Sequence, residues 1–259
     1  MSNARDFASR VPVDGALSNR NLIINGAMQV AQRGTSFAEA ASEAYGVDRF
    51  KYQRSSTSGR VTLSQGDGLA GVSPKSVKIE VTTAAAATPP ANVFHQYRYA
   101  IEGNDVDHLG LGTADCKELT LSFYAKASTT GTLPFALGNV GGTKTYPNTF
   151  DISIADTWQR YVYKIPAVTD GSWASGTASG LDLRIGFEYG SDYTGGTVGQ
   201  WATTSAFANF APTYTNPLAS TLNATLQITG VQLEQGDSAT PFEHRSYGDE
   251  LARCQRYLY

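Results

Sequence analysis

The sequence predicts an all-β protein, an antiparallel two-sheet sandwich of jelly-roll type with a short N-terminal arm and a short C-terminal helix. Apolar and polar residues alternate along several segments, and Gly, Pro and Asn recur between those segments. Helical periodicity is nearly absent from residues 21 to 240, so two sheets must cover each other. We expect an arm over residues 1–20, one sandwich over 21–245 and a helix over 246–259.

Four segments carry the alternation most clearly: residues 76–82, 119–126, 159–165 and 181–189. In the last segment the apolar side consists of Leu181, Leu183, Ile185, Phe187 and Tyr189, and the polar side of Asp182, Arg184 and Glu188. Residues two apart in a strand point to the same face. We therefore expect the apolar set in the core and the polar set on a solvated outer face.

The segment 226–234 predicts an irregular strand. Its apolar positions are even up to Ile228 and odd from Val231 onward. A strand of period two changes phase only where one residue is inserted, so we predict a β-bulge at Thr229–Gly230.

The last residues predict a helix. Ser246 is a suitable N-cap, and Asp249 follows three residues later. Leu251, Cys254 and Leu258 then form one narrow apolar stripe. A helix this short is marginal alone, so it must dock on its own sandwich or on a neighbouring subunit.

Composition excludes several classes of protein. The chain has 28 aromatic residues in 259, and only 17% of its residues are charged, which argues against disorder and against a coiled coil. No run of about 20 apolar residues is present, so membrane insertion is not expected. The net charge of −3 and the lack of a basic cluster argue against nucleic acid as a partner.

The cysteines and the first residues predict a compartment. Cys116 and Cys254 are too few for a disulfide framework and fit a reducing cytosol. Residues 1–17 lack the apolar stretch of a secretory signal. We expect synthesis in the cytoplasm without a signal peptide.

No residue pattern points to catalysis, so we predict a protein that is not an enzyme. The histidines His95, His108 and His244 lack metal-ligand spacing, and no nucleophile elbow, P-loop or dinucleotide fingerprint is present. Asp182 and Glu188 lie too far apart along one strand for a glycosidase pair. The expected cofactors, metal ligands and catalytic residues are therefore none.

One weakly charged, aromatic-rich segment is the candidate binding site. Residues 190–220 show no periodicity and contain a single charge, Asp192. Long irregular loops in compact domains are often functional. The candidate residues are Tyr193, Trp201, Phe207, Phe210 and Tyr214, together with Trp173 in a separate turn. Aromatic faces among small polar residues suit sugar rings and also suit a protein–protein patch. For Trp173 and Trp201, packing at a sandwich edge is the alternative.

Two blocks at the ends of the chain carry a resemblance to a known family. The first comprises NLIINGAMQVAQRGTSF (21–37) and YGVDRF (45–50). The second comprises ITGVQLEQG (228–236), ATPFEHRSY (239–247) and ELARCQRY (250–257). Together they resemble the jelly-roll domain of bacteriophage and prophage tail-fibre-like proteins. The middle strands, LTLSFYAKAS and TWQRYVYKI, are similar to carbohydrate-binding modules of the galactose-binding-like type.

The resemblance implies a virion protein, commonly a homotrimer, that attaches to host surface polysaccharide. Residues 1–20 would then bind other virion proteins. Two alternatives stay open: a purely structural head-fibre, decoration or tail-connector protein, and a glycan-degrading depolymerase.

Within the end blocks we expect three local features. Asn25–Gly26 supplies a tight turn, and Asp48–Arg49 forms an ion pair at a strand entrance. The first and last strands of the sandwich are expected to pair.

Overall fold

The predicted alternation forms two antiparallel sheets that face each other across one core. A computed structural model describes residues 19–40, 42–55, 59–205 and 208–258. Most of the predicted arm, residues 1–18, therefore lies outside the described residues, as does Phe207. The described part confirms the predicted class, an all-β two-sheet sandwich with a short C-terminal helix.

The first sheet has six strands. In spatial order they are β1 (Ser36–Phe37), β4 (Arg60–Leu69), β5 (Ser73–Thr83), β13 (Thr225–Gln235), β7 (Leu119–Ala127) and β10 (Gln159–Ile165). The second sheet has seven strands: β12 (Ala202–Thr203), β9 (Lys144–Ile152), β8 (Gly131–Gly138), β11 (Ser179–Tyr189), β6 (Phe94–Glu102), β3 (Phe50–Arg54) and β2 (Tyr45–Val47).

Helices are short and peripheral. The first is α1 (Gly103–Val106) and the second is α2 (Tyr247–Gln255); 3-10 turns lie at Asp107–Leu109 and Leu218–Ser220. Among the described residues, no helix combines the length and the apolar character needed to span a bilayer.

The core lies between the two sheets and is rich in aromatic rings. Phe123 of β7 packs edge-on against Phe135 of β8 and Phe150 of β9, which joins the two sheets. Leu181, Leu183 and Ile185 of β11 are buried in this core, as the alternation predicts.

The prediction for the end of β11 is wrong at Tyr189 and Glu188. The pairing of β11 with β6 shifts register between Gly186 and Glu188, so Phe187 is an inserted residue. After this bulge Glu188 pairs with His95, whose side chain faces the core, and Tyr189 pairs with Phe94 on the outer face. The bulge therefore turns Glu188 towards the core and Tyr189 towards the outer face. The sequence pattern did not reveal this change.

The bulge predicted in β13 is confirmed. The pairing of β13 with β7 shifts register between Thr229 and Gln232. Gly230 has a φ of 61°, a left-handed conformation that favours glycine. An added Cβ there would also lie 2.8 Å from Cγ1 of Val72.

The C-terminal helix docks on its own sandwich. The Ser246 hydroxyl caps it by accepting from the Asp249 amide at 3.2 Å, as predicted. Its buried residues are Cys254 and Glu250, whereas Leu251 and Leu258 are only half-buried. The predicted apolar stripe is thus only partly correct, because a buried carboxylate takes part of that face.

This carboxylate belongs to a polar junction between the two end blocks, here called the terminal seam (Asn21, Asn25, Glu243, Arg245 and Glu250). Glu250 accepts from the Asn25 amide at 2.5 Å, and Glu243 accepts from the Asn21 amide at 2.9 Å. Arg245 donates to the Asn21 carbonyl and lies within ion-pair distance of both glutamates. The two resemblance blocks therefore form one structural unit.

Of the local features expected in the first end block, the turn is present and the ion pair is not. The Asn25–Gly26 turn is present, with Met28 donating to the Asn25 carbonyl. Asp48, however, pairs with Arg33, because the Arg49 guanidinium lies 3.5 Å from the Tyr257 ring centroid.

The first strand does not pair with the last. β1 pairs with β4, and the irregular segment before β1 contacts β13 through the Leu22 amide and the Leu233 carbonyl.

Candidate binding cleft on the seven-stranded sheet

The outer face of the seven-stranded sheet is polar at its centre. Tyr97 and Tyr99 of β6 point into the core, so Gln96 and Arg98 point outward. In register, Arg98 lies beside Arg184 of β11. Alternation within two neighbouring strands thus places two guanidinium groups side by side.

The aromatic-rich loop after β11 folds back over this face. The Ala211 amide donates to the Tyr193 carbonyl at 2.9 Å, which joins the two ends of the loop. The Phe210 ring centroid lies 4.5 Å from the Arg184 guanidinium carbon, a cation–π contact.

A glycine allows the loop to begin close to the sheet. Tyr189 lies across Gly186, where an added Cβ would be 2.0 Å from Cε2 of the ring. Only glycine leaves room for this ring. The Tyr214 hydroxyl holds Tyr189 in turn by accepting from its backbone amide at 2.9 Å.

The loop overturns the expectation that Asp182, Arg184 and Glu188 lie on a solvated face. All three are buried, and Asp182 is fully inaccessible. Asp182 and Arg184 are covered from outside, whereas Glu188 faces the core because of the bulge. Asp182 and Glu188 therefore lie on opposite faces of the sheet and cannot flank one glycosidic bond.

Beside the loop an open cleft of about 380 Å³ remains on the sheet. Its lining comes from five parts of the chain: Gln53, Phe94, Gln96, Arg98, Val140, Arg184, Tyr189, Tyr193 and Phe210. Tyr193 and Phe94 pack edge to face with centroids 5.3 Å apart. The cleft thus combines a partly exposed aromatic pair with amide and guanidinium groups on a rigid sheet.

Asp182 organises the charged part of the cleft from beneath. It accepts from Nε and Nη2 of Arg98 at 2.9 and 3.1 Å, from Nη2 of Arg184 at 2.7 Å and from the Ser179 hydroxyl. Burial lowers the pKa of Arg184, as does the neighbouring Arg98, while the charge of Asp182 opposes the change. Arginine side chains are charged at neutral pH in proteins.

A chain of hydrogen bonds crosses the other half of the cleft. The Tyr189 hydroxyl donates to Gln96 at 2.6 Å, and Gln96 donates to Gln53 at 3.2 Å. Gln53 donates in turn to Glu43, which also pairs with Lys51. These contacts fix the two amides, so their orientation does not depend on a ligand.

The six residues singled out from the sequence do not form one cluster. Tyr193 and Phe210 line the cleft, and Tyr214 lines a neighbouring cavity of about 420 Å³. Trp173 and Trp201 lie elsewhere, and Phe207 is outside the described residues. The structure therefore separates the candidates into a cleft group and a tryptophan pair.

The tryptophan pair packs at the edge of the sandwich, where its members touch the main core. Their rings are 5.7 Å apart, and Trp201 also contacts Tyr146 at 5.4 Å. The indole N–H of Trp201 donates to the Pro166 carbonyl at 2.7 Å, and that of Trp173 donates to the Asp170 carbonyl at 3.1 Å. Both indole N–H groups are therefore hydrogen-bonded within the protein.

Sequence reasoning missed the sheet side of the cleft. In β6, the polar residues Gln96 and Arg98 alternate with Tyr97 and Tyr99. This alternation could have indicated that Gln96 and Arg98 lie on an outer face of the sheet. It could not have indicated which strand lies beside β6, because pairing with β11 joins residues about 85 positions apart.

Beneath the cleft, a buried acid–base pair faces the core. Nδ1 of His95 lies 3.1 Å from Oε2 of Glu188, and both side chains are almost inaccessible. Burial raises the pKa of Glu188 to about 7. Burial, with the charges of Arg54 and Arg60, lowers the pKa of His95 to about 4. Each group therefore prefers its neutral form when the protein is folded.

The described residues contain no group of three or more His, Cys, Asp or Glu side chains that could hold a metal ion. Within the described part of the chain, the cleft lining also lacks a carboxylate. The cleft chemistry is that of neutral and cationic hydrogen-bond donors beside aromatic rings.

No protein-family model and no curated protein matches the sequence. Solved structures similar to this chain include the enzymatically active domain of tailspike protein 4 from bacteriophage CBA120, at 13% identity and a TM-score of 0.42. That match covers 84% of this chain and 22% of the tailspike chain, so this chain spans about a fifth of it.

Two carbohydrate-binding modules are similar to the same extent. One is a CBM4 domain, at 13% identity and a TM-score of 0.40, with 82% of this chain and 98% of that chain covered. The other is the family 11 module of a Clostridium thermocellum cellulosomal cellulase, at 8% and 0.38, covering 81% and 98%. The similar structures thus include a domain of a phage tailspike and carbohydrate-binding modules, and these similarities assign the chain to no family.

Proposed function

We propose that this chain is a non-catalytic carbohydrate-binding domain whose glycan site is the cleft on the seven-stranded sheet. The observation that carries the proposal is the juxtaposition of a partly exposed ring, Tyr193, with the fixed amides of Gln53 and Gln96. A sugar presents a C–H face that packs on an aromatic ring and a rim of hydroxyls that needs hydrogen-bond partners. A volume of about 380 Å³ accommodates a small number of sugar units.

Tyr193→Ala tests the site. We expect a loss of about tenfold in glycan affinity, because one aromatic platform is removed. Isothermal titration against a panel of bacterial surface and plant polysaccharides measures it. Trp201→Ala is the matched control, since Trp201 is an aromatic residue of the same loop outside the cleft. Unchanged affinity in Tyr193→Ala, or an equal loss in both variants, would remove the cleft as the site.

At the level of the particle, the proposal is that the domain belongs to a bacteriophage tail-fibre-like virion protein and attaches it to host surface glycans. The resemblance of the end blocks supports this role. The geometry fits it. Asn19 accepts from Arg253 of α2, and Arg256, directly after α2, pairs with Glu102 at one end of β6. The cleft includes Phe94 at the other end of β6. Eight residues of extended strand separate these ends by about 26 Å. An anchor through residues 1–20 would hold the cleft away from the attachment point.

Antibody labelling of intact particles, combined with adsorption assays, tests this role. We expect label on the tail and slower adsorption of particles that carry Tyr193→Ala. Label on the capsid with unchanged adsorption would favour the structural alternative, a head-fibre or decoration protein. Release of new reducing ends from host polysaccharide would instead favour a depolymerase.

A homotrimer is part of the same proposal. Three weak glycan sites on one particle component give firm attachment through multivalency. Light scattering of the full chain should give three times the 27.6 kDa of one chain. A single-chain mass at micromolar concentration would contradict it.

A further inference from the structure

The floor of the cleft carries an excess of positive charge. Arg98 and Arg184 both bind one carboxylate, Asp182, so two guanidinium groups share a single negative charge there. The pair is partly enclosed by the loop, where charge is screened less than on an open surface.

The hydrogen-bonding capacity of Asp182 is fully used. Its two oxygens already accept four hydrogen bonds, three from guanidinium groups and one from Ser179. The carboxylate of Glu43 hydrogen-bonds to Lys51 and Gln53, and the charge of Arg98 acts on it only as a smaller influence that lowers its pKa. No described residue that lines the cleft is acidic.

Arg98 also keeps donors for a ligand. Its Nε and Nη2 are occupied by Asp182, whereas within the described chain Nη1 has no acceptor. The side chain is 20% exposed and lines the cleft. Because Asp182 fixes the guanidinium plane, the two N–H groups of Nη1 are presented in a set orientation.

We propose that the glycan bound in the cleft is acidic, and that a carboxylate or sulfate on one sugar accepts from Nη1 of Arg98 while Tyr193 packs on a ring. This inference rests on the proposed function and names the substrate class of that same site. Charge-assisted bonds of this kind are stronger than bonds between neutral groups.

The test compares acidic oligosaccharides with their neutral counterparts on the unmodified protein. Fragments of polygalacturonate, alginate and hyaluronan are titrated beside the same fragments after carboxyl reduction, and a sulfated galactan is titrated beside its desulfated form. We expect at least one acidic member to bind about tenfold more tightly than its neutral form. Raising the salt concentration from about 0.05 to about 0.3 M should reduce that advantage. The carboxylated and sulfated arms identify the acidic group.

Arg98→Gln locates the charge effect. It should reduce the ratio of acidic-form to neutral-form affinity from about ten to about one, whatever its effect on the affinity for the neutral form. Arg160→Gln, at an exposed arginine of β10 in the opposite sheet, is the matched control. A thermal unfolding scan of each variant checks that it is folded.

The outcomes separate this inference from the proposed function. Equal affinity for the acidic and neutral forms would overturn the acidic-glycan inference and leave the glycan site in place. The same holds if Arg98→Gln and Arg160→Gln behave alike. Failure of every acidic and neutral glycan to bind would overturn both.

Discussion

The terminal seam and the cleft are both built from arginine, carboxylate and amide side chains, but they differ in how far these groups are covered and paired. In the seam, Arg245 is 6% exposed and lies between two buried carboxylates, Glu243 and Glu250. In the cleft, Arg98 is 20% exposed, and one carboxylate serves two guanidinium groups. The seam therefore has two carboxylates for one guanidinium group, and the cleft has one carboxylate for two guanidinium groups.

This difference separates the stabilising role of the seam from the binding role proposed for the cleft. The seam carboxylates accept backbone amides of the N-terminal segment, so the network joins two distant parts of the chain. A buried charge that loses its partner is costly, which makes such a junction specific. The cleft keeps donors at the surface, where a ligand can use them without disturbing the fold.

The largest expected effect is in the seam. Arg245→Met leaves Glu243 and Glu250 buried without their cation, so we expect the free energy of unfolding to fall by about 3–5 kcal/mol. Urea denaturation measures it. Arg253→Met, at an exposed ion pair on α2, should change stability by no more than about 0.5 kcal/mol. A loss in Arg245→Met as small as that of the control would show that the seam is not a stabilising unit.

The second effect concerns the Glu188–His95 pair, which is buried like the seam but lies beneath the cleft. The folded state raises the pKa of Glu188 from 4.5 to about 7, so its contribution to stability is full below pH 4.5 and is lost as the pH rises through about 7. Lowering the pKa of His95 from 6.5 to about 4 acts oppositely, with a contribution that is full above pH 6.5 and lost as the pH falls through about 4. The two contributions offset each other between pH 4.5 and 6.5 in the wild type.

Glu188→Gln removes only the first contribution. Relative to the wild type, the variant should gain up to about 3 kcal/mol of stability between pH 5 and pH 8. Its own stability should rise from about pH 4 to 6.5, where His95 alone acts. Denaturation curves at several pH values measure this. Glu118→Gln, at an exposed glutamate, controls for the loss of one formal charge. Parallel curves for wild type and Glu188→Gln would contradict the assignment.

The third effect tests the division of the aromatic loop. Trp201→Ala should lower the free energy of unfolding by about 2–3 kcal/mol, because the ring packs on Tyr146 and Trp173 at the sandwich edge. Tyr193→Ala should cost only about 1 kcal/mol, since its ring is partly exposed. Unfolding midpoints measured beside glycan affinities give both quantities. A stability loss in Tyr193→Ala as large as that in Trp201→Ala would show that Tyr193, like Trp201, serves to pack the fold.

The smallest effect is at the bulge beside the seam. Gly230→Ala should cost about 1–2 kcal/mol, because alanine is disfavoured at a φ of 61°. Gly248→Ala is the control: an added Cβ has nothing within 4 Å, and alanine favours the helix. We therefore expect Gly248→Ala to be neutral or slightly stabilising in thermal unfolding. Equal unfolding stabilities of the two variants would mean that the left-handed conformation of Gly230 does not require glycine.

Much of the fold follows from local patterns. Ser246 caps its helix, and Gly230 marks the bulge, because capping and a change of strand phase depend on a few adjacent residues. The same reasoning failed at Tyr189. There the bulge at Phe187 left no change in an apolar pattern, since both residues are aromatic.

The candidate site was predictable only in part. Aromatic content and low charge singled out Tyr193 and Phe210, and the structure puts both in the cleft lining. The same criteria selected Trp173 and Trp201, whose rings pack at the sandwich edge. Composition identifies residues that need a partner surface, but it does not distinguish a partner within the chain from a ligand.

By itself, the sequence determined five of the strands (β5, β7, β10, β11 and β13), the β13 bulge, the helix cap and the low net charge, because each depends on neighbouring residues or on simple counts. Only the tertiary structure decided that Arg98 and Arg184 share Asp182, that Phe210 of the loop covers Arg184, and that the two end blocks meet in one seam. The physical reason is that cross-strand neighbours are set by pairing register and loop packing, which join residues from about 80 to more than 200 positions apart. A charged residue that a strand pattern assigns to a solvated face can thus form the floor of a cleft.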